Sequence, residues 1–211
     1  TRAAGLAPGG GLPKLGSLLA RGPARLLPMA AIEAEINAQL TEFEDAMGRM
    51  PDFIDGHQHV HAMPGVRRAF AAVLARRYPA AKPYVRDAAD SLAAIRARGV
   101  QARKAVIVAN LARPFGKRMA ELGFALNQGF SGFSAFDPRQ DYGADFPSYL
   151  VAPGRAHLVM CHPGEVDDEL RALDPVTGSR PKEIAYLLSD RFTEACAAAD
   201  LQLARFSGLQ G

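Results

Sequence analysis

In the stretch IDGHQHVHAMPG, Ile54 to Gly65, three of the chain's five histidines fall at every second position, and an aspartate stands two residues before the first. Neutral imidazole is the commonest side-chain metal ligand, and imidazole also serves as acid or base near neutral pH. On a strand, alternate side chains share one face, so Asp55, His57, His59 and His61 would line one side. Strand rise places neighbours in this set roughly 6.5–7 Å apart, close enough for two to chelate one ion, with the outer imidazoles roughly 13 Å apart. The expectation is one or two ligands, the other histidines supporting them or touching substrate. A hydrogen-bonded polar cluster is the alternative reading of the same row.

His162, in VMCHPG, is the second candidate. It lies at the carboxyl end of an expected parallel strand, where α/β proteins place their chemistry; a capping or core histidine is the alternative. Cys161 precedes it directly and would face the opposite way, which argues against a Cys/His nucleophilic pair. His157 reads as structural. Glu165, Asp167 and Asp168 invite a paired-carboxylate glycosidase reading, but acids at a helix start are ordinary. Phe130, Phe133 and Phe136 sit among small residues in GFSGFSAF. They suit an aromatic platform for a sugar ring or, equally, core packing.

The elements that must position these groups are legible in outline. Residues 1–30, rich in Gly and Pro, read as irregular. Ile32, Ile36, Leu40, Phe43 and Met47 recur at helical spacing until Gly48 and Pro51 stop the helix. A short strand from Phe53 would carry the histidine row. Pro64 suits the first position of a helix running to about Arg77, and PYVRD reads as another short strand. KAVIVANL has strand-like residues, yet Ile107, Leu111, Phe115 and Met119 recur every four, which a helix kinked at Pro114 explains better. HLVMCHPG reads as an apolar strand. A last helix would start near Ser179, a candidate cap, and run to about Ala199. Strands alternating with helices, without hairpin signals, indicate an α/β protein with parallel strands.

Composition bounds the rest. With 211 residues, 48% hydrophobic and 22% charged, one domain spanning 1–211 is expected. The net charge of +3 is small and no basic block is interleaved with aromatics, so nucleic acid is not an expected partner. No apolar run approaches a membrane span. The first residues carry Gly, Pro and Lys where a signal peptide would need an unbroken apolar core. Two cysteines, Cys161 and Cys196, suit a reducing cytoplasm, and a cytoplasmic location is expected. The chain begins with Thr rather than Met, as a processed product or a fragment would.

IDGHQHVHAMPGV followed later by VMCHPGEVDDEL resembles the YdjC-like carbohydrate deacetylase family, which includes chitooligosaccharide deacetylases and hopanoid-associated members. EAEINAQLTEF, NQGFSGF and DPVTGSRPKE are also similar to it, so the resemblance covers essentially the whole chain. It implies a deformed (β/α) TIM-like barrel and a divalent metal, magnesium or zinc, held by one Asp and two His. It implies hydrolysis of an N-acetyl group on an amino sugar, in an oligosaccharide or a glycolipid. By that resemblance His57 is a metal ligand, His162 is the general acid for the leaving amine, and Arg86, near the end of PYVRD, orients the catalytic carboxylate. Asp55, His59 and His61 would support the site or touch substrate, as would Phe130 and Phe133. The chemistry is coherent: an ion activates water and polarises an amide carbonyl, a carboxylate takes the water's proton, and an imidazole supplies the proton without which an amine does not leave.

The family also has a strand ending in Asp-Asp-Phe-Gly and a later His-x-x-Leu-Thr segment, which supply the base and the other ligands. Neither occurs here, and Thr1 matches the last residue of the second. On that pattern the barrel is incomplete at the N-terminus, and its open sheet edges lead to the expectation of a homodimer or a rearranged edge. Two further readings stand beside the hydrolase: a truncated or inactive homologue acting only as a binding or oligomeric module, and an amidohydrolase-type site built on His57 and His59.

Overall fold

The computed structural model describes residues 6, 11–24 and 26–206. Apolar periodicity becomes helix where it was expected. After α1 (Leu15–Arg21), α2 runs Met29–Met47 and stops at Gly48, whose left-handed φ of 65° makes the C-cap. The irregular segment expected over 1–30 thus contains a helix, and part of it lies outside the described residues. Helix α3 (Val66–Arg77) begins two residues after Pro64, because Gly65 takes φ 86°, outside helical space. A Cβ on Gly65 would also meet Leu27 Cδ1 at 2.7 Å. Helices α4 (Leu92–Arg98) and α5 (Ala102–Glu121) follow, and α5 runs through Pro114 as expected.

The strands are real but very short. β1 (Phe53–Ile54) pairs in parallel with β2 (Tyr84–Val85), and Val85 bridges on to Leu126. β3 (Phe130–Ser131) pairs in parallel with β4 (Leu158–Val159). Gly132, with φ 92°, lets the main chain of Met160 approach, since a Cβ there would sit 2.0 Å from the Met160 carbonyl oxygen. The remaining helices are α6 (Tyr142–Tyr149), α7 (Asp168–Leu173), α8 (Arg180–Leu187) and α9 (Asp190–Ala198). The single last helix expected to run to Ala199 is therefore two, parted at Leu188 and Ser189. Ser179 precedes α8 but has helical backbone angles and its side chain makes no capping hydrogen bond. The fold is mixed α/β with parallel strands, and among the described residues the strands form two separate pairs and no closed sheet.

The chain divides into two compact units: Thr1–Ala89 with Val108–Asn127, and Asp90–Ile107 with Gln128–Leu209, the boundary at 107 and 108 falling inside α5. In the first, α2 and α3 bury Ile32, Met63, Val66 and Ala69 together with Leu18 and Leu27. In the second, α6, α8 and α9 gather an aromatic core of Tyr142, Phe146, Tyr149 and Tyr186. There the buried Arg98 ties main-chain segments together: it donates to the carbonyls of Val151, Phe130 and Ala152 and to Asp90.

Candidate functional site

The chain leaves β1 after Ile54, and one residue later a cation from the neighbouring strand catches it. Arg86, next after β2, is 6% exposed. Its Nε donates to Asp55 Oδ1 at 2.5 Å, its Nη2 donates to the Gly56 carbonyl at 3.0 Å, and Nη2 also pairs with Asp55. Its Nη1 lies 2.8 Å from His59 Nδ1. A guanidinium can only donate, so His59 Nδ1 accepts and the ring's proton sits on Nε2. The Arg86 N–H in turn donates to the Ile54 carbonyl at 3.2 Å, which holds this clamp in the sheet.

This clamp overturns the expected single face of histidines. The strand ends at Ile54, and His57–Ala62 form a 3₁₀ turn in which Gln58 and His59 take left-handed φ of 52° and 60°. Alternation therefore ceases to sort the side chains. His57 is exposed and His59 is half-buried. His61 is 1% exposed, packed between Phe70 and Phe115. Its Nε2 lies 3.0 Å from the Arg86 carbonyl, to which it donates. Burial first, and the Arg86 charge second, lower its pKa to about 4 and keep the ring neutral. Gly56 has no side chain to obstruct that ring: a Cβ would meet His61 Nδ1 at 2.4 Å. Of the row, Asp55 and His59 meet at Arg86, His61 supports that residue's main chain from below, and His57 points away to solvent.

His162 lies three residues beyond β4, past the last ladder bond, in which the Met160 N–H donates to the Ser131 carbonyl at 2.9 Å. Its own N–H donates to Glu183 Oε2 at 2.5 Å. Its half-buried ring stands edge-on to Phe136 with centroids 5.0 Å apart. Phe136 has φ 57°, and Lys104 Nζ sits 4.8 Å from its centroid. Glu183, on α8, is 1% exposed, and burial pushes its carboxyl above the usual range while the His162 N–H pulls it back. Nothing in the sequence singled out Glu183, since an acid in the first turn of a helix is commonplace.

The other expectations sort cleanly. Phe130 and Phe133 are 1% and 4% exposed and pack against each other at 5.4 Å, so they build core and offer no face to a sugar. His157 is structural as expected, with Nε2 2.8 Å from Ser131 Oγ. Asp167 caps α7 by accepting from the Leu170 N–H at 2.8 Å, as the helix-start reading required. Cys161 and Cys196 are both free thiols. Among the described residues no group of three or more His, Cys, Asp and Glu side chains is arranged to hold a metal ion. Asp55 is committed to Arg86, so these residues offer His57 as a donor and do not by themselves make a metal centre.

Comparison with known proteins follows the same lines. A model of the YdjC-like protein family matches residues 5–198. Over 48 residues the chain is 52% identical to a carbohydrate deacetylase of Danio rerio, a stretch covering 23% of this chain and 15% of that protein. Over 51 residues it is 39% identical to a chitooligosaccharide deacetylase of Enterobacter sp. (strain 638), covering 24% of this chain and 20% of that one. These matches span well under two thirds of either relative. The crystal structure of a putative cellobiose-phosphate cleavage protein from Enterococcus faecalis V583 superimposes with a TM-score of 0.61 at 19% identity, covering 88% of this chain and 63% of that one. That likeness concerns the fold alone.

Proposed function

The chain belongs to the YdjC-like protein family, and from that premise we propose that it takes part in hydrolysis of an N-acetyl group on an amino sugar, in an oligosaccharide or a glycolipid. What carries the reading is that both histidine motifs of the resemblance are held by buried polar partners, Arg86 for one and Glu183 for the other. In the reading, His162 gives a proton to the leaving nitrogen, a step an amide requires because an amine anion is too poor a leaving group. Arg86 fixes Asp55 and His59 and so sets the exit of the chain from β1. A divalent ion, magnesium or zinc, belongs to the reading, with His57 as one ligand. A deformed (β/α) barrel and a cytoplasmic setting complete it, the latter supported by the two free thiols. No described helix is long and apolar enough to cross a membrane.

The test is release of acetate from N-acetylglucosamine oligomers and from an N-acetylglucosaminyl lipid, with and without chelator. Acetate released only without chelator supports the reading, and no acetate from either substrate sinks it. A second reading is a module that binds the sugar without hydrolysing it, in keeping with the described residues, among which no three His, Cys, Asp or Glu side chains are grouped to hold an ion. Saturable binding of the oligomers without acetate release would establish it. β1 has a strand partner on one side only among the described residues, and its Phe53 is 63% exposed. We take that edge as the pairing surface for a second copy; a clean monomer in sedimentation contradicts this.

A further inference from the structure

The main-chain ladder between β3 and β4 ends at Met160, two residues short of His162. Beyond that point a strand neighbour no longer fixes the backbone, and a general acid has to be fixed: a displacement of about 1 Å at a reacting group costs on the order of 10²-fold in rate. The acceptor that a neighbouring strand would have supplied comes instead from a side chain. Glu183 Oε2 takes the His162 N–H at 2.5 Å from the first turn of α8.

Its surroundings make this carboxyl unusual. Glu183 is almost fully buried. The charge of Arg180, on the same helix, acts on it, but Arg180 spends its hydrogen bonds elsewhere, donating to Asp174 Oδ2 at 2.6 Å and to the Val176 carbonyl at 2.7 Å. Burying a carboxyl without a dedicated counter-ion is costly, and a hydrogen bond from N–H to an ionised acceptor is roughly twice as strong as a neutral one. The same segment is tied to the start of α8 a second time, by the Gly164 N–H donating to the Arg180 carbonyl at 3.4 Å. Phe136 then limits the swing of the ring itself. Peptide and imidazole are thus restrained separately, the one by Glu183 and the other by an aromatic edge.

We propose that Glu183 is a positioning residue for His162, fixing the point from which its imidazole projects by clamping the His162 peptide to α8. The role in turnover rests on the deacetylase reading above; the clamp itself does not.

The test uses the full chain, with Glu183→Gln and Glu183→Ala. Nuclear magnetic resonance follows the His162 amide and ring signals, assigned with His162→Ala, over a pH titration, and acetate release is measured in parallel. In the wild type the His162 amide proton is expected far downfield, moving as Glu183 titrates. In Glu183→Gln it should lie upfield with that titration gone. Turnover should fall mainly in kcat with KM unchanged, by about 10²-fold for Glu183→Ala, with Glu183→Gln recovering part of the loss because it keeps an acceptor. An amide signal unmoved in Glu183→Gln overturns the proposal, as does a folded Glu183→Ala with wild-type kcat. Should Glu183→Ala fail to fold, Glu183→Gln alone decides. A wild type that releases no acetate defeats the deacetylase reading instead, and the His162 signals then still decide for or against the clamp.

Discussion

After β1 the chain is caught by a cation, and after β4 it is caught by a carboxyl. Around Asp55–His61 the anchor is Arg86, whose fork meets a carboxylate, a carbonyl and an imidazole nitrogen. Around His162 the anchor is Glu183, which takes one main-chain N–H and leaves the ring to Phe136. The first arrangement fixes side chains, and it leaves His57 exposed beside a rigid neighbour. The second fixes backbone, and it leaves the imidazole itself partly reachable. Where a motif must offer several groups in a set pattern, a multivalent donor such as arginine suits it. Where it must offer one group, a single acceptor on the peptide is enough.

The largest break in this comparison should come from His162→Ala. Loss of a general acid is expected to lower kcat by about 10²- to 10⁴-fold, measured as acetate release, with unfolding by urea little changed. On the other side Arg86→Ala should act chiefly on stability. It strips Asp55 and Gly56 of their donor at a buried position, and a loss of about 3 kcal/mol in urea unfolding is expected, at the low end for a broken buried pair because Asp55 is half exposed. Arg86→Lys should recover little, since an ammonium cannot reproduce the fork. Equal stability of wild type and Arg86→Ala would remove the clamp from the account.

Acid sharpens the comparison. The unfolded chain binds a proton at His61 near pH 6.5, but the folded protein binds it only near 4. Between those values the unfolded state holds more protons, so stability is fully present above about pH 6.5 and falls as the pH drops toward 4, by up to about 3 kcal/mol. His157, whose pKa burial also lowers to about 4, contributes with the same sign in the other unit. His61→Gln should flatten the pH dependence of urea unfolding monitored on the unit of α2 and α3, and an unchanged slope would count against a neutral buried ring. The smallest effect is expected from Phe136→Leu, which removes the edge contact on His162 and should cost about 1 kcal/mol, with broadened His162 ring signals as its signature.

The helices were legible because their signal is local. Ile32 and Leu40 on α2, and Phe115 and Met119 on α5, are buried as their spacing required, and even Pro114 did not disguise the four-residue interval. The strands were legible in place but not in length, since a strand lasts only as long as its neighbour, and β2 ends at Val85. Strand alternation failed for Asp55, His57, His59 and His61 because the deciding partner, Arg86, is 31 residues from Asp55. For Phe130 and Phe133, composition left platform and core equally open, and packing chose core.

The sequence by itself determined the course of α2, α3 and α5, the parallel α/β character and the two segments on which chemistry was to be sought, all through periodicity and residue type within a few turns of chain. Only the tertiary structure decided which histidine is buried, which is exposed and what holds each in place. What holds His59, His61 and His162 is a set of hydrogen bonds between residues 27, 25 and 21 positions apart, and a directional bond of that kind leaves no periodic trace in the segments it joins.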